Sequence, residues 1–198
     1  RESKEEARKL FWKLFYLLGL VTLTISAVII YFAPEIINLF APTFIQDKDK
    51  FDLTVLLTRI MAPFLCLVSL AALFMGVLNS LKVFFIPSFA PVFFNISMIL
   101  SMLFFPALLI PRGIDPIISL GLGVMIGGFA QAIFQFPKII KLGYGPVMPG
   151  KLISKKIKKV IALLGPGLLG FAATQINLIV NTILASTTIV GAVSWLSF

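Results

Sequence analysis

The chain has no histidine and a single cysteine, Cys66, in 198 residues. The first absence removes the commonest general base and the commonest metal ligand. The second excludes a disulfide within the chain. Acids are scarce as well. The eight are Glu2, Glu5, Glu6, Glu35, Asp47, Asp49, Asp52 and Asp115. All lie in polar stretches or at the ends of apolar runs, so no carboxylate pair is buried for acid–base work. There is no HExxH, no glycine-rich phosphate loop and no cysteine cluster. Serines and threonines are scattered without a base. These gaps argue against an enzyme. No ring of charge or repeated filter sequence marks a pore either.

What fills the chain is apolar. Hydrophobic residues make up 59% of it, against about 45–50% in soluble domains, with mean hydropathy +1.06 and twenty phenylalanines. The apolar runs are too long and too many for a signal peptide. The expected fold is an all-α integral membrane protein, a polytopic bundle of transmembrane helices with five spans. Because the chain starts at Arg1 and stops at Phe198, a fragment of a larger protein is expected.

The spans fall at about residues 10–32, 53–78, 86–110 and 117–136, with the fifth inside Ile157–Ser186. A ~30 Å hydrocarbon core needs roughly 20 apolar residues, which each run supplies. Span one follows a charged helical lead-in, Arg1–Lys9, and closes at Ala33-Pro34. A short amphipathic segment, Glu35–Phe44, and a polar loop, Gln46–Asp52, come next. Span two carries Arg59, expected to snorkel to the interface or to face substrate. It also has a stripe of small residues, Ser69, Ala72, Gly76 and Ser80, suited to close packing. In span three Pro87, Pro91 and Asn95 step by four, making one face both broken and polar. In span four Gly123, Gly127, Gln131 and Gln135 step by four. The glycines permit close approach; the glutamines are packing glue or cavity lining.

The fifth stretch organises the rest. Gly165-Pro166-Gly167 interrupts it, and Pro166 removes a backbone donor and clashes with the preceding turn, so a kink is expected. Gly170, Thr174, Asn177 and Asn181 then share one helical face, beside Gln175. Amides facing lipid are costly, so this face should look into a bundle or a wet cavity. Helix–helix glue explains such a stripe as well as a transporter site does.

Net charge is +9. In a soluble protein that would suggest nucleic acid; here no nucleic-acid partner is expected, because the cations sort by side of the membrane. Arg1, Lys4, Arg8, Lys9, Lys13, Lys82 and the linker lysines 138, 141, 151, 155, 156, 158 and 159 fall on one side, thirteen in all. Lys48, Lys50, Arg59 and Arg112 fall on the other. The positive-inside rule puts the Arg1 end and the 137–159 linker in the cytoplasm, with the linker on the membrane surface beside phospholipid headgroups.

Three ordered blocks carry a resemblance: RIMAPFLCLVSLAALFMGVLNS from Arg59, IPSFAPVFFNISMI from Ile86, and GPGLLGFAATQINLIVNTILAS followed by GAVSWLSF from Gly165. Together they resemble the MurJ (MviN) family of lipid II flippases, within the multidrug/oligosaccharidyl-lipid/polysaccharide exporter superfamily. The resemblance implies fourteen helices in two lobes, of which this chain supplies about the third to seventh. Residues 1–136 would be the last four helices of the N-terminal lobe, 137–159 a cytoplasmic linker, and 160–198 the first helix of the C-terminal lobe and the start of the following loop.

It also implies a function: flipping lipid II across the bacterial inner membrane by alternating access, with no enzymatic step, as a monomer. Gly165, Pro166 and Gly167 would form a hinge. Gln175 and Asn177 would line or brace the cavity, with Asn95, Gln131 and Arg59 as further contributors. The family's cavity arginines lie on helices outside this chain. At Asn181 some members carry Asp, resembling a sodium ligand; Asn offers a carbonyl oxygen without the charge, so a sodium site here would be weakened. Two other readings are a related exporter of drug cations or of another polyprenyl-linked saccharide, and a membrane scaffold. The spans hold no acid, which argues against cation export.

Overall fold

A computed structural model describes residues 2–148, 150–154 and 156–162, together with Ala172, Gln175, Ile176 and Val180. Among these residues the regular structure is entirely helical. Six α-helices follow in order: α1 (Glu2–Tyr31), α2 (Ala33–Phe40), α3 (Lys48–Met61), α4 (Phe64–Ser80), α5 (Phe85–Leu109) and α6 (Ile118–Lys141). Short 3-10 helices, Pro42–Gln46 and Ile110–Arg112, join α2 to α3 and follow α5. Four stretches are long and apolar enough to cross a membrane: Ser3–Tyr31, Lys48–Ser80, Phe85–Arg112 and Ile118–Lys141. They match the first four expected spans, and the protein is a multi-pass helical membrane protein. The fifth span lies mostly outside the described residues. Its start is helical over 156–162, where the Ser154 hydroxyl accepts the Ile157 N–H at 3.4 Å as a cap.

Span one closes at Ala33-Pro34 as expected, but the prolines of spans two and three act differently from the expectation. Span three is one unbroken helix through Pro91 and Pro106. Pro87 falls in its first turn, where the missing N–H has no intrahelical partner anyway. The break comes in span two, at Ala62-Pro63 between α3 and α4. There Cys66 N–H turns to Pro63 O at 3.0 Å, leaving Ala62 O only a long 3.2 Å bond from Leu65 N–H. The buried Ser26 hydroxyl of α1 donates the second bond, at 2.8 Å.

The polar run read as a loop is helical from Lys48. Asp47, extended at φ −118° and ψ 96°, caps α3 by accepting the Lys50 N–H on Oδ1 at 3.1 Å. At the other end of the charge pattern, α6 runs through Pro137 to Lys141, five residues past the expected end of span four. It stops in a Schellman turn: Gly143 (φ 92°) donates to Ile140 O and Tyr144 to Ile139 O. The end of α4 has the same turn, with Lys82 (φ 59°) in the left-handed position where glycine is usual.

The chain divides into two compact units, residues 1–28 with 60–153, and 29–59 with 154–198. In the first, α6 is the hub. A Cβ on Gly123 would lie 2.9 Å from Ser101 Cβ, and one on Gly127 3.0 Å from the Phe94 carbonyl oxygen, both on α5. A Cβ on Gly128 would lie 2.6 Å from the Phe64 ring of α4. The stepped glycines therefore do what their spacing suggests. The small stripe of α4 does not. Ala72, Gly76 and Ser80 are exposed, and nothing described lies within 4 Å of a Cβ at Gly76. The buried face of α4 is Ala71, Phe74 and Leu78. These join Phe11, Trp12, Ala132, Ile139 and Tyr144 in an aromatic-rich core. Phe15 stacks on Phe74 at 6.0 Å, and Tyr144 meets Phe11 edge-on at 5.9 Å.

That core fixes the start of the basic linker. Trp12 Nε1 donates to Tyr144 O (3.0 Å) and Gly145 O (2.8 Å), and Arg8 Nε donates to Gly145 O (2.9 Å). Residues 144–146 are thus held against α1 rather than lying free on a surface.

Candidate functional site

The polar residues singled out in the sequence separate into three groups. Gly165, Pro166, Gly167, Asn177 and Asn181 lie outside the described residues, and so do the expected kink and sodium ligand. Gln175 is helical and half-buried. Arg59, Asn95 and Gln131 are described in full; Arg59 belongs to the second compact unit, Asn95 and Gln131 to the first.

Arg59 sits in the last turn of α3, exposed, and its Nε donates to Ile30 O at 3.2 Å. The reason is local. Residue 34 is proline, so the N–H that would bond Ile30 O in a continuing helix does not exist. Arg59 takes the orphaned carbonyl at the negative end of α1, where a cation is also favoured by the helix dipole. Its Nε is engaged, and its outer nitrogens remain available to an anion.

Asn95 lies on the exposed side of α5 among Val92, Ile96 and Ile99, and has no side-chain hydrogen bond among the described residues. An amide on an apolar membrane-spanning face is costly against lipid. It belongs against water or against another polar surface.

Gln131 is half-buried, and its backbone carbonyl accepts from Gln135 Nε2 at 3.2 Å. Gln135 is the more telling residue. It is fully buried, its Nε2 also reaches Ala71 O on α4 at 3.2 Å, and its Oε1 has no partner among the described residues. The two carbonyls fix which end of the amide is nitrogen. The sequence puts Gln131 and Gln135 on one face, but which of them turns into the helix interface depends on the rotation of α6, set by Gly127 and Gly128. Ser26 and Trp12 were likewise invisible as polar anchors: one serine in an apolar run gives no sign that a proline-broken carbonyl waits opposite it.

Among the described residues no group of three or more His, Cys, Asp or Glu could hold a metal ion. The chemistry on hand is hydrogen bonding and charge, distributed along spans.

Comparison with known proteins supplies what this scattered geometry does not. The family model for lipid II flippase MurJ matches residues 1–198. A relative from Buchnera aphidicola subsp. Schizaphis graminum, described as "Probable lipid II flippase MurJ", is 40% identical over 186 residues, 93% of this chain and 35% of its own length. A relative of the same description from Treponema pallidum is 38% identical over 181 residues, 90% of this chain and 32% of its own. The "Lipid II flippase MurJ" of Burkholderia cenocepacia is 34% identical over 157 residues, 77% and 30% respectively. The chain spans about a third of the length of the curated relatives it matches. With the match running from the first residue to the last, through the proline-broken second span and the glycine-stepped α6 alike, the chain belongs to the MurJ family.

Proposed function

We propose that this chain is part of a transporter, not an enzyme, that moves lipid II across the bacterial inner membrane by alternating access. The observation that carries the reading is the family match over all 198 residues. The chain's chemistry agrees with it. Polar groups in the spans, with carboxylates confined to span ends and loops, suit a ligand recognised by hydrogen bonds and by cations, as a sugar–pyrophosphate headgroup is. In this reading Asn95 lines the headgroup cavity, and the outer nitrogens of Arg59 offer donors to its phosphates. Gln175 and Asn177 line or brace the cavity, with Gln131 as a further contributor. The lobes divide as expected, with residues 1–136 in one, 160–198 beginning the next, and 137–159 as the link. The Arg1 end and that link face the cytoplasm, a placement supported by the thirteen-to-four distribution of cations.

Gly165–Gly167 serves as the hinge, and the sodium reading at Asn181 rests on the resemblance. It predicts that transport by Asn181→Asp depends more steeply on sodium than transport by the unaltered protein. The central test is reconstitution of the complete protein in vesicles carrying lipid II in the inner leaflet, with label applied by a membrane-impermeant reagent outside. Lipid II, and not undecaprenyl phosphate, should become accessible at a rate that Asn95→Leu reduces. Equal exposure of both lipids would overturn the substrate assignment.

A further inference from the structure

The segment around α2 and the start of α3 carries a dense set of charges, and they divide by what they touch. Asp47 is engaged as the α3 cap, and the Lys50 ammonium lies 3.8 Å above the Phe44 ring centroid. Glu35 and Asn38 of α2, one helical turn apart, and Lys48 and Asp52 of α3 line one open cavity of about 410 Å³. Ile45 and Phe51 form its apolar wall. Among the described residues, none of those four polar side chains makes a hydrogen bond or an ion pair. The cavity lies where the candidate span Ser3–Tyr31 ends and the candidate span Lys48–Ser80 begins. Spans of that length put their ends at the level of lipid headgroups.

We propose that this cavity binds the headgroup of a zwitterionic phospholipid bearing a primary amine, a phosphoethanolamine. The chemistry on each wall selects it. Two carboxylates, Glu35 and Asp52, accept N–H bonds from one ammonium, and Asn38 adds a carbonyl acceptor. Lys48 pairs with the phosphate, and Ile45 and Phe51 cover the first carbons of the lipid. The volume falls within the range of small-molecule sites, about 300–1,000 Å³. A headgroup with net negative charge meets two carboxylates for one lysine and is disfavoured. A quaternary ammonium has no N–H to give the carboxylates and would need an aromatic cage, of which Phe51 is one wall only. The site differs from the headgroup cavity proposed above, and its test reads lipid retention rather than transport.

The experiment is native mass spectrometry of the complete protein equilibrated with equimolar phosphatidylethanolamine, phosphatidylcholine and phosphatidylglycerol. Phosphatidylethanolamine should be retained about three- to fivefold over the others, the scale of one or two exposed charge pairs. Glu35→Gln with Asp52→Asn should abolish that preference, as should Lys48→Gln, while Lys138→Gln at the basic end of α6 should leave it intact. A ligand-side series gives the same test on the unaltered protein, whatever the folding of the variants. Retention should fall stepwise as the amine is mono-, di- and trimethylated. Equal retention of phosphatidylethanolamine and phosphatidylcholine, a preference for phosphatidylglycerol, or a preference unmoved by the Glu35/Asp52 and Lys48 variants would overturn the proposal.

Discussion

Replacing Gly127 by alanine adds one methyl group at the closest approach of α5 and α6. The new Cβ would lie 2.8 Å from Phe94 Cδ2, 3.0 Å from the Phe94 carbonyl oxygen and 3.2 Å from its Cα. The ring can rotate away, but the carbonyl and Cα are backbone within α5 and cannot, so the helices must separate. Overpacking of this kind costs about 1–3 kcal/mol. Against it stands the gain of alanine over glycine in a helix interior, about 0.5–1 kcal/mol. The internal control is Gly76→Ala in α4, where nothing described lies within 4 Å and only the propensity gain applies. The two variants make the same chemical change with opposite expected signs. For a chain of this size 1 kcal/mol moves the midpoint about 2–4 °C. Gly127→Ala should therefore melt several degrees below the unaltered protein and Gly76→Ala at or slightly above it. Thermal unfolding in detergent, followed by tryptophan fluorescence, reads the difference. If Gly127→Ala melts as high as Gly76→Ala, then α5 and α6 are not in backbone contact there and the packing account of α6 is wrong.

Lys82→Gly relieves a left-handed residue at the end of α4 and should raise the midpoint by an amount equivalent to about 0.5–1 kcal/mol, whereas Lys82→Ala should leave it unchanged. Ser26→Ala deprives Ala62 O of its shorter partner and should cost about 1 kcal/mol, the low end of the range because the Leu65 bond survives; Ser26→Thr should recover part of it. Gln135→Leu removes a buried amide whose Oε1 has no partner among the described residues, while filling similar volume, so it should be neutral or stabilising in the same melting assay. Gln135→Ala leaves a void and should destabilise by about 2 kcal/mol or more. Trp12→Phe keeps the aromatic packing but loses both Nε1 bonds, and should speed limited proteolysis within residues 142–154 severalfold, a change seen on gels without any shift in the span helices.

The membrane class, the first four spans and the glycine face of α6 were legible because each rests on a pattern local to the chain: run length, composition, or a step of four. The misreadings share a cause. A stripe of small residues on α4 signals that a partner could approach, not which face receives one, and Phe74 and Leu78 claimed the interior instead. Residues 47–50 alternate in charge, which reads as loop until Asp47 is recognised as a cap. That the start of the basic linker is tied to α1 could not be read at all, because nothing in its own sequence announces Trp12 and Arg8, more than 130 positions away. Arg59 was marked correctly as unusual, but its immediate partner, Ile30 O, is produced by a proline four residues further along another helix. No local pattern states which polar groups will meet, so the partners of the site residues were not legible.

The prolines show why such meetings matter in an apolar solvent. Each proline inside a helix removes one donor and leaves a carbonyl four residues back without its usual bond. Where water is absent that carbonyl needs another partner, or the helix must tighten to give one. Pro34 frees Ile30 O, and Arg59 supplies the donor; the chain turns there and α2 begins. At Pro63 the chain also changes helix, but the donor from Ser26 goes to Ala62 O, a carbonyl of the turn itself, not to the one four residues back. Pro91 and Pro106 have no such outside donor among the described contacts, and α5 carries straight on through both. At Pro34 the interruption thus coincides with an outside donor for the freed carbonyl, and at Pro91 and Pro106 continuity coincides with the lack of one among the described contacts. The same rule applied to Pro166 makes the carbonyl of Ala162 the group to watch. If a kink at Pro166 depends on an outside donor to that carbonyl, removing the donor with Pro166 left in place should straighten the helix, and a kink that persists would refute the link.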